Sequence, residues 1–484
     1  MDELISLVKV MRVGEKRMLM HMLARTTNAE ENLRLRLFKM LDAGHTDLQT
    51  VKKKLATDVS ASSFAHLKRR LKEDILSVLL VKESPKRIAQ ANRAAQFECI
   101  KKIAQAYVLI FRGAKQEGAG ILQSAKRLAI KYELEGELLS INHISREAFY
   151  SFSDVKKIVA MNEDLRDNLK IWSDILRSEE LSFYITSPQF KQEFEQTEKD
   201  GFENTMINEL KALYEKSNTA RIGFWYYMAA TEFHTTQKNF ELVVNLGLSF
   251  LRLVERSPAI KSKNNLAGVN QTVGLAQLEL RNFSEAKNHL SVAEKHFPSA
   301  GFNRLQSLQF LGLAQMADQD YAGIMQTIEK AMMHPRIGAR EHFLPQWLYI
   351  KACGEFLTSD IDSAFKTLNQ NGDLMKQRDD WNIQFRMLEM LILIELKDEE
   401  WLEFKLDATR KFLTRYKKLD TPRVRASIEL ISNLLRRELD YDAISKKNNE
   451  TLELCLNEAE GFEWNPAGPE IVRFDSWIKG KISA

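Results

Sequence analysis

Hydrophobic residues recur every three or four positions along most of the chain, the period of a helix with one buried face. Over 1–84 this spacing marks helices near 14–25, 30–43, 47–55 and 61–82. Leu33, Leu37, Met40 and Leu41 share one face; Leu67, Leu71, Ile75, Val78 and Leu79 share another. Ser62 or Ser63 is placed to cap the last helix. The segment stops at Ser84-Pro85, where the residue before proline is pushed out of helical geometry.

From about 87 onward the helices come in pairs. Ile100, Ile103, Tyr107, Val108 and Phe111 form one face, and a turn with Gly113, Gly118 and Gly120 leads to Ile121, Leu122, Ala125, Leu128 and Ala129. Two longer helices fill 134–186, with Ile158, Leu165, Leu169, Trp172 and Leu176 as expected core positions. The 484 residues include 20 glycines and 9 prolines, well under the typical shares of about 7% and 5%. All the prolines are expected between amphipathic stretches, so long helices with short connections follow.

The region 220–415 repeats itself. Gly274, Ala276, Phe283, Ala286, Leu290 and Ala293, closed by Pro298, reappear 38 positions later as Gly312, Ala314, Tyr321, Ile324, Ile328 and Ala331, with Pro335 one position early. A further 40 gives Ile361, Ala364 and Leu368, with Ala352 and Gly354 in the preceding helix. A step of 43 backward gives Phe240, Val243 and Gly247. Small residues stand where two helices cross closely, and an aromatic stands in the turn.

Gly274, Phe283, Ala286, Ala293 and Pro298 resemble the tetratricopeptide repeat signature of Gly, Tyr, Ala, Ala and Pro. That repeat is normally about 34 residues, so each helix pair here is about one turn longer or has a larger loop. The layout, a helical N-terminal unit followed by such pairs, also resembles uncharacterised bacterial repeat proteins, which brings no activity with it. The expected fold is all-α: an N-terminal helical domain over 1–84, long paired helices as degenerate repeats over 87–217, tetratricopeptide-like repeats over 218–415, and C-terminal capping helices over 420–484. Thr421-Pro422 opens the last part with a capping residue and a proline at the first helical position. Ile471, Phe474, Trp477 and Ile478 form one face of a closing helix that covers the end of the stack.

Composition adds limits. Hydrophobic residues at 44% and charged residues at 28% exclude large-scale disorder. The net charge of +4 is small for this length, so whole-chain electrostatics do not point to nucleic acid or to an anionic membrane. Cys99, Cys353 and Cys455 lie far apart and suit a reducing compartment. The longest aliphatic run, Met390 to Ile394, is far below the ~20 residues of a membrane span, and the N-terminus lacks the apolar core of a secretory signal. A soluble, cytoplasmic protein is expected.

Chemistry is sparse. None of the nine histidines has another four positions away, which excludes a His-Glu-x-x-His helix. His289 and His296, seven apart, read as an ordinary surface or groove pair. Gly113 to Gly120 lacks the Lys-Ser/Thr of a phosphate loop. Cys99 and Cys353 read as small buried hydrophobes. Asp318/Asp320 and Asp360/Asp362 occupy equivalent turns, where helix capping accounts for them. No cofactor, metal or catalytic group is expected.

The resemblance implies that the first helix of each pair lines a concave groove. The inward positions are then Trp225, Met228, Gln271, Leu275, Gln306, Gln309, Leu313, Met316, Gln346, Tyr349, Cys353 and Phe356. The basic clamp of the chaperone-binding repeats is missing, whereas a Gln-, Met- and aromatic-lined groove suits an extended peptide or a helix. Part of this surface could instead be covered by long neighbouring helices or by the chain's own C-terminus. The run Phe224 to Tyr227 cannot face one way, so two of its rings belong to the core and one or two to the groove or a partner.

The leading functional expectation is a scaffold or adaptor that binds a protein or peptide partner. The alternative is a regulator with a nucleic-acid-binding N-terminal unit and a repeat sensor. Residues 1–90 hold 18 Lys/Arg and 11 Asp/Glu, an excess of +7. Lys52, Lys53, Lys68, Arg69 and Arg70 are its candidate contacts, on a short helix followed by a recognition helix over 61–82. The partner and the oligomeric state stay open.

Overall fold

The computed structural model describes residues 2–25, 29–45, 51, 55, 61–83, 88–149, 154–190, 201–340, 343–370, 379–441, 444 and 448–482. Among them every regular element is helical. The chain divides into two compact units, Met1–Ala104 and Gln105–Ala484. The boundary expected at 84–87 lies outside the described residues.

The first unit holds α1 (Asp2–Val10), α2 (Val13–Ala24), α3 (Ala29–Asp42), α4 (Ala61–Lys82) and the larger part of α5 (Ala91–Phe111). Helix α1 escaped the sequence reading, although Leu4 and Val8 bury its inner face. They pack with Leu19, Leu37, Phe38, Leu67, Leu71 and Ile75 in one core. The expected helix at 47–55 falls mostly outside the described residues.

The second unit continues with α6 (Lys115–Lys131), α7 (Glu135–Phe149), α8 (Val155–Thr186) and α9 (Phe202–Ser217). Next come α10 (Ala220–Thr236), α11 (Phe240–Arg256), α12 (Lys263–Glu279), α13 (Phe283–His296), α14 (Phe302–Ala317) and α15 (Tyr321–Met332). The rest is α16 (Phe343–Leu357), α17 (Ile361–Asn369), α18 (Asp379–Leu396), α19 (Glu399–Arg415), α20 (Pro422–Leu435), α21 (Asn449–Leu456) and α22 (Phe474–Ile482). From α10 to α19 they form antiparallel hairpins stacked in chain order, a tetratricopeptide-like arrangement. First helices of successive hairpins touch one another, α12 with α14, α14 with α16 and α16 with α18.

The signature residues have mechanical roles. A Cβ on Gly274 would come within 2.6 Å of the Leu290 Cγ, so glycine sets the closeness of α12 and α13. Ala286, Leu290 and Ala293 are fully buried. Five hairpin turns share one device: Lys238, Arg281, Gln319, Ser359 and Lys397 adopt left-handed φ between 56° and 64°. The next amide in each closes back on the helix, as in Asp320 N–H to the Gln315 carbonyl at 2.8 Å and Asp398 N–H to Leu393 at 3.0 Å. That residue, Asn or Asp each time, opens the following helix. The fifth turn, at Lys397-Asp398, was not read from the sequence; there the charged Glu399 stands where the other turns have Phe, Tyr or Ile.

Several expectations need correction. Asp320 and Asp360 accept the Gly323 and Ser363 amides at 3.0 and 3.2 Å and so cap their helices. Asp318 instead pairs with Lys287 at 2.6 Å. Pro345 lies inside α16, in its first turn, where no intrahelical N–H is needed. Leu169 and Leu176, expected in the core, are exposed; α8 buries Ile175, Ser178, Leu181, Ser182 and Ile185. Small serines there let neighbouring helices come close, a face that hydrophobicity alone does not mark.

Candidate functional site

The first-helix side is partly closed by the chain itself. Beyond α21, residues 458–473 run as a non-helical strap, and α22 follows. Arg423, at the start of α20, anchors it while buried. Its Nε and Nη2 donate to the two Glu470 oxygens at 2.6 and 2.7 Å. Nη1 donates to the Phe462 and Cys455 carbonyls at 2.9 and 3.2 Å, and Nη2 also reaches Asp475 at 3.1 Å. Burial opposes the Arg423 charge, but Glu470 and Asp475 prevail and hold its pKa up.

Glu458 pairs with Arg281, in the α12–α13 turn, and accepts from Arg473 at 3.1 Å. Burial works against its charge, yet the donors from Arg281 and the Trp464 amide keep it ionised below the usual range. Ala467 and Ile471 lie against the cluster of Leu278, Leu290, Leu311 and Leu313. Trp477 Nε1 and Lys481 Nζ both donate to Glu395 of α18, at 3.0 and 2.8 Å.

The C-terminal segment covers part of the expected groove. Tyr349, Gln346, Cys353, Phe356, Met316 and Leu313 were expected to line open space; all are buried. The Tyr349 hydroxyl donates to the Pro469 carbonyl at 2.9 Å, and Phe356 lies 6.4 Å from Trp477 between ring centres. Burial drives the Cys353 thiol well above its usual pKa, so it is a core residue. The C-terminal helix thus lies along the inner face and does more than cover the end of the stack.

Toward α10 the inner face stays open. A cleft of about 450 Å³ runs across α10, α12 and the start of α14. Phe224, Met228, Phe250, Val269 and Phe297 give it an apolar lining; Thr231, Thr272, Asn264, Asn265, Gln271 and Asn303 give it polar groups. Glu232 is its one charged lining residue. Among the described residues the side chains of Glu232, Asn264 and Asn303 have no hydrogen-bond or ion-pair partner. Gly268 opens onto the cleft, and a Cβ there would meet nothing within 4 Å.

Of the expected groove residues, Met228 and Gln271 line this cleft. Gln271 Nε2 donates to Gln306 Oε1 at 3.1 Å, so Gln306 belongs to its border. Gln309 and Leu275 are half-buried. Trp225 turns toward the core of Leu181, Ile185 and Leu210, away from the cleft. Of its neighbours, Phe224 reaches the cleft, while Tyr226 and Tyr227 pack on Tyr214 and Phe250. The asparagines were missed because Asn264 and Asn303 stand in first turns, where Asn reads as capping.

No family model matches the chain, and no curated protein matches it. Among solved structures it is similar to a Rap protein complexed with competence and sporulation factor, at 14% identity over 80% of this chain and 98% of that one, with a TM-score of 0.39. It is also similar to the apo form of RapI, at 9% identity over 80% and 98% of the two chains, with a TM-score of 0.45.

In the first unit, Lys52 and Lys53 lie outside the described residues. Lys68 sits over the Phe64 ring, Arg69 is within 3.8 Å of Glu73, and Arg70 is exposed. The inner face of α4 is taken up by the core. Among the described residues no group of His, Cys, Asp or Glu could hold a metal, and no helix is long and apolar enough to cross a membrane.

Proposed function

We propose that this protein is an adaptor that binds an extended peptide segment of a partner in the α10–α12–α14 cleft, without chemistry of its own. The observation that carries the reading is the lining: an apolar floor edged by the side-chain amides of Asn264 and Asn303, which have no partner among the described residues. Amides can both donate to and accept from a peptide backbone, and apolar pockets take alternate side chains. The same inner face already holds an extended segment, residues 458–473, by this combination of buried apolar side chains and polar anchors.

Charge narrows the ligand. With Glu232 as the lone ionised group, the cleft suits a peptide carrying a cationic side chain or a free N-terminus. It does not suit a terminal carboxylate. The buried thiols fit a reducing, cytoplasmic setting.

The test is selection of short peptides from a random display library on the full chain, followed by titration of the winners. Enrichment of basic peptides, with Glu232→Gln weakening them about tenfold, supports the reading; such a loss is the size of one charge-assisted hydrogen bond. Failure to enrich any sequence, or indifference to Glu232→Gln and Asn303→Ala together, refutes it.

A further inference from the structure

A second cleft, of about 710 Å³, lies between α19 and α20, and its chemistry is opposite to that of the first. Arg410 and Lys417 line it from α19 and the turn beyond; Arg425 and Arg436 line it from α20. Two acids, Asp420 and Glu429, stand among these four cations, so the lining carries an excess of two positive charges. That excess is local. The whole chain is +4 and residues 1–90 account for +7, which leaves −3 for the remaining residues. A basic groove in a net acidic region is not a by-product of general basicity.

Its geometry is elongated. Arg425 and Arg436 are eleven positions apart on one helix, about 16 Å at 1.5 Å per residue. Near one end, Arg425 is fixed by Asp420, through Nε to the carboxylate and Nη2 to the carbonyl, both at 3.1 Å. In the cleft wall, Arg410 Nη2 is fixed by the Ser432 hydroxyl at 2.7 Å. Lys417 and Arg436 make no ion pair among the described residues. Leu413 and Ile428, both buried, form an apolar floor between the charges.

Cations at a helix C-terminus are ordinarily explained by the macrodipole, and this covers Lys417 and Arg436 but not Arg410, which stands before the last turn of α19. It does not cover Arg425, in the first turn of α20, nor the gathering of all four on one cleft. We infer that the α19–α20 groove is a docking surface for an acidic peptide segment of a partner protein. Two carboxylate-bearing side chains about five residues apart in an extended strand would span the charged ends, at about 3.3 Å per residue. Guanidinium groups held in place offer each carboxylate a planar pair of donors. This site is independent of the α10–α14 cleft and stands or falls without it.

The test is fluorescence-polarisation titration of labelled hexaglutamate against the full chain at matched ionic strength, with hexalysine as the control. Saturable binding of hexaglutamate alone is expected. Arg410→Gln with Arg436→Gln should weaken it at least about tenfold, each charge-assisted contact being worth about that much. Both positions are exposed, so circular dichroism and melting temperature should not change; Lys417→Gln, also at an exposed position, gives a second reading. Absence of saturation overturns the inference. So does equal binding by the variants, or full displacement by chloride at the same ionic strength.

Discussion

Tyr349 and Pro469, 120 positions apart in the chain, are joined by a 2.9 Å hydrogen bond from the phenol to the proline carbonyl. That bond marks where the inner face of the repeats stops being a surface and becomes a core. Tyr349 is fully buried, and burial, with the neighbouring Cys353, drives its pKa well above the usual value. The open part of the face therefore ends near Gln306, and the peptide site proposed on this face is confined to the α10–α14 cleft.

The strap depends on Arg423. Removing one partner of a buried ion pair costs about 3–5 kcal/mol, because the other is left charged without compensation. Arg423→Ala should therefore lower stability by about that amount in denaturant titrations. Burial raises the Glu470 pKa more than Arg423 lowers it. The stranded carboxyl can thus take a proton, and the loss should shrink as pH falls.

Cys455 gives a pH signature. Burial is the main cause of its rise from 9.0 to about 11, with Arg423 opposing and Asp475 adding. In the unfolded chain the thiol ionises first, so between pH 9 and 11 the folded state binds more protons and stability falls as pH rises. The slope is up to about 1.4 kcal/mol per pH unit. The stability difference between wild type and Cys455→Ala should be flat below pH 9 and move against the wild type above it.

Gly274 separates packing from propensity. Alanine would gain about 1 kcal/mol of helix propensity. Its Cβ, however, would press on the Leu290 side chain and lie 3.2 Å from the Leu290 backbone nitrogen. Overpacking of this kind costs about 1–3 kcal/mol, so Gly274→Ala should lower the melting temperature.

Gln319 tests the turn device. It holds φ at 57° in an exposed turn, where a side chain is strained. Relief of a left-handed residue is worth about 1–2 kcal/mol, less the added freedom of glycine in the unfolded chain. Gln319→Gly should raise stability by about 0.5–1 kcal/mol on that balance.

What was legible in the sequence was what repeats locally. Gly274, Phe283, Ala286 and Ala293 announce a helix pair because their roles are played within a single hairpin. The sequence allowed the C-terminus to cover part of the groove but not the course of the strap, because Arg423 meets Glu470 and Arg281 meets Glu458 across long chain separations, and nothing in the spacing of charges says which will pair. The α8 face was misread for a related reason: Ser178 and Ser182 are buried there by close helix packing, while Leu169 and Leu176 stay outside. Half of the expected groove was hidden because the residues that cover it are far away in the chain.

The most direct test of the central claim is to fill the cleft without disturbing the fold. At Gly268 a side chain meets nothing within 4 Å, and leucine would gain nearly 1 kcal/mol of helix propensity. Peptides selected on the wild-type chain should then be titrated against Gly268→Leu by calorimetry. The account predicts at least about a tenfold loss of affinity, the weight of one blocked polar or apolar anchor, with a melting temperature equal or higher. Unchanged affinity for those peptides would contradict it, because their site would then lie elsewhere.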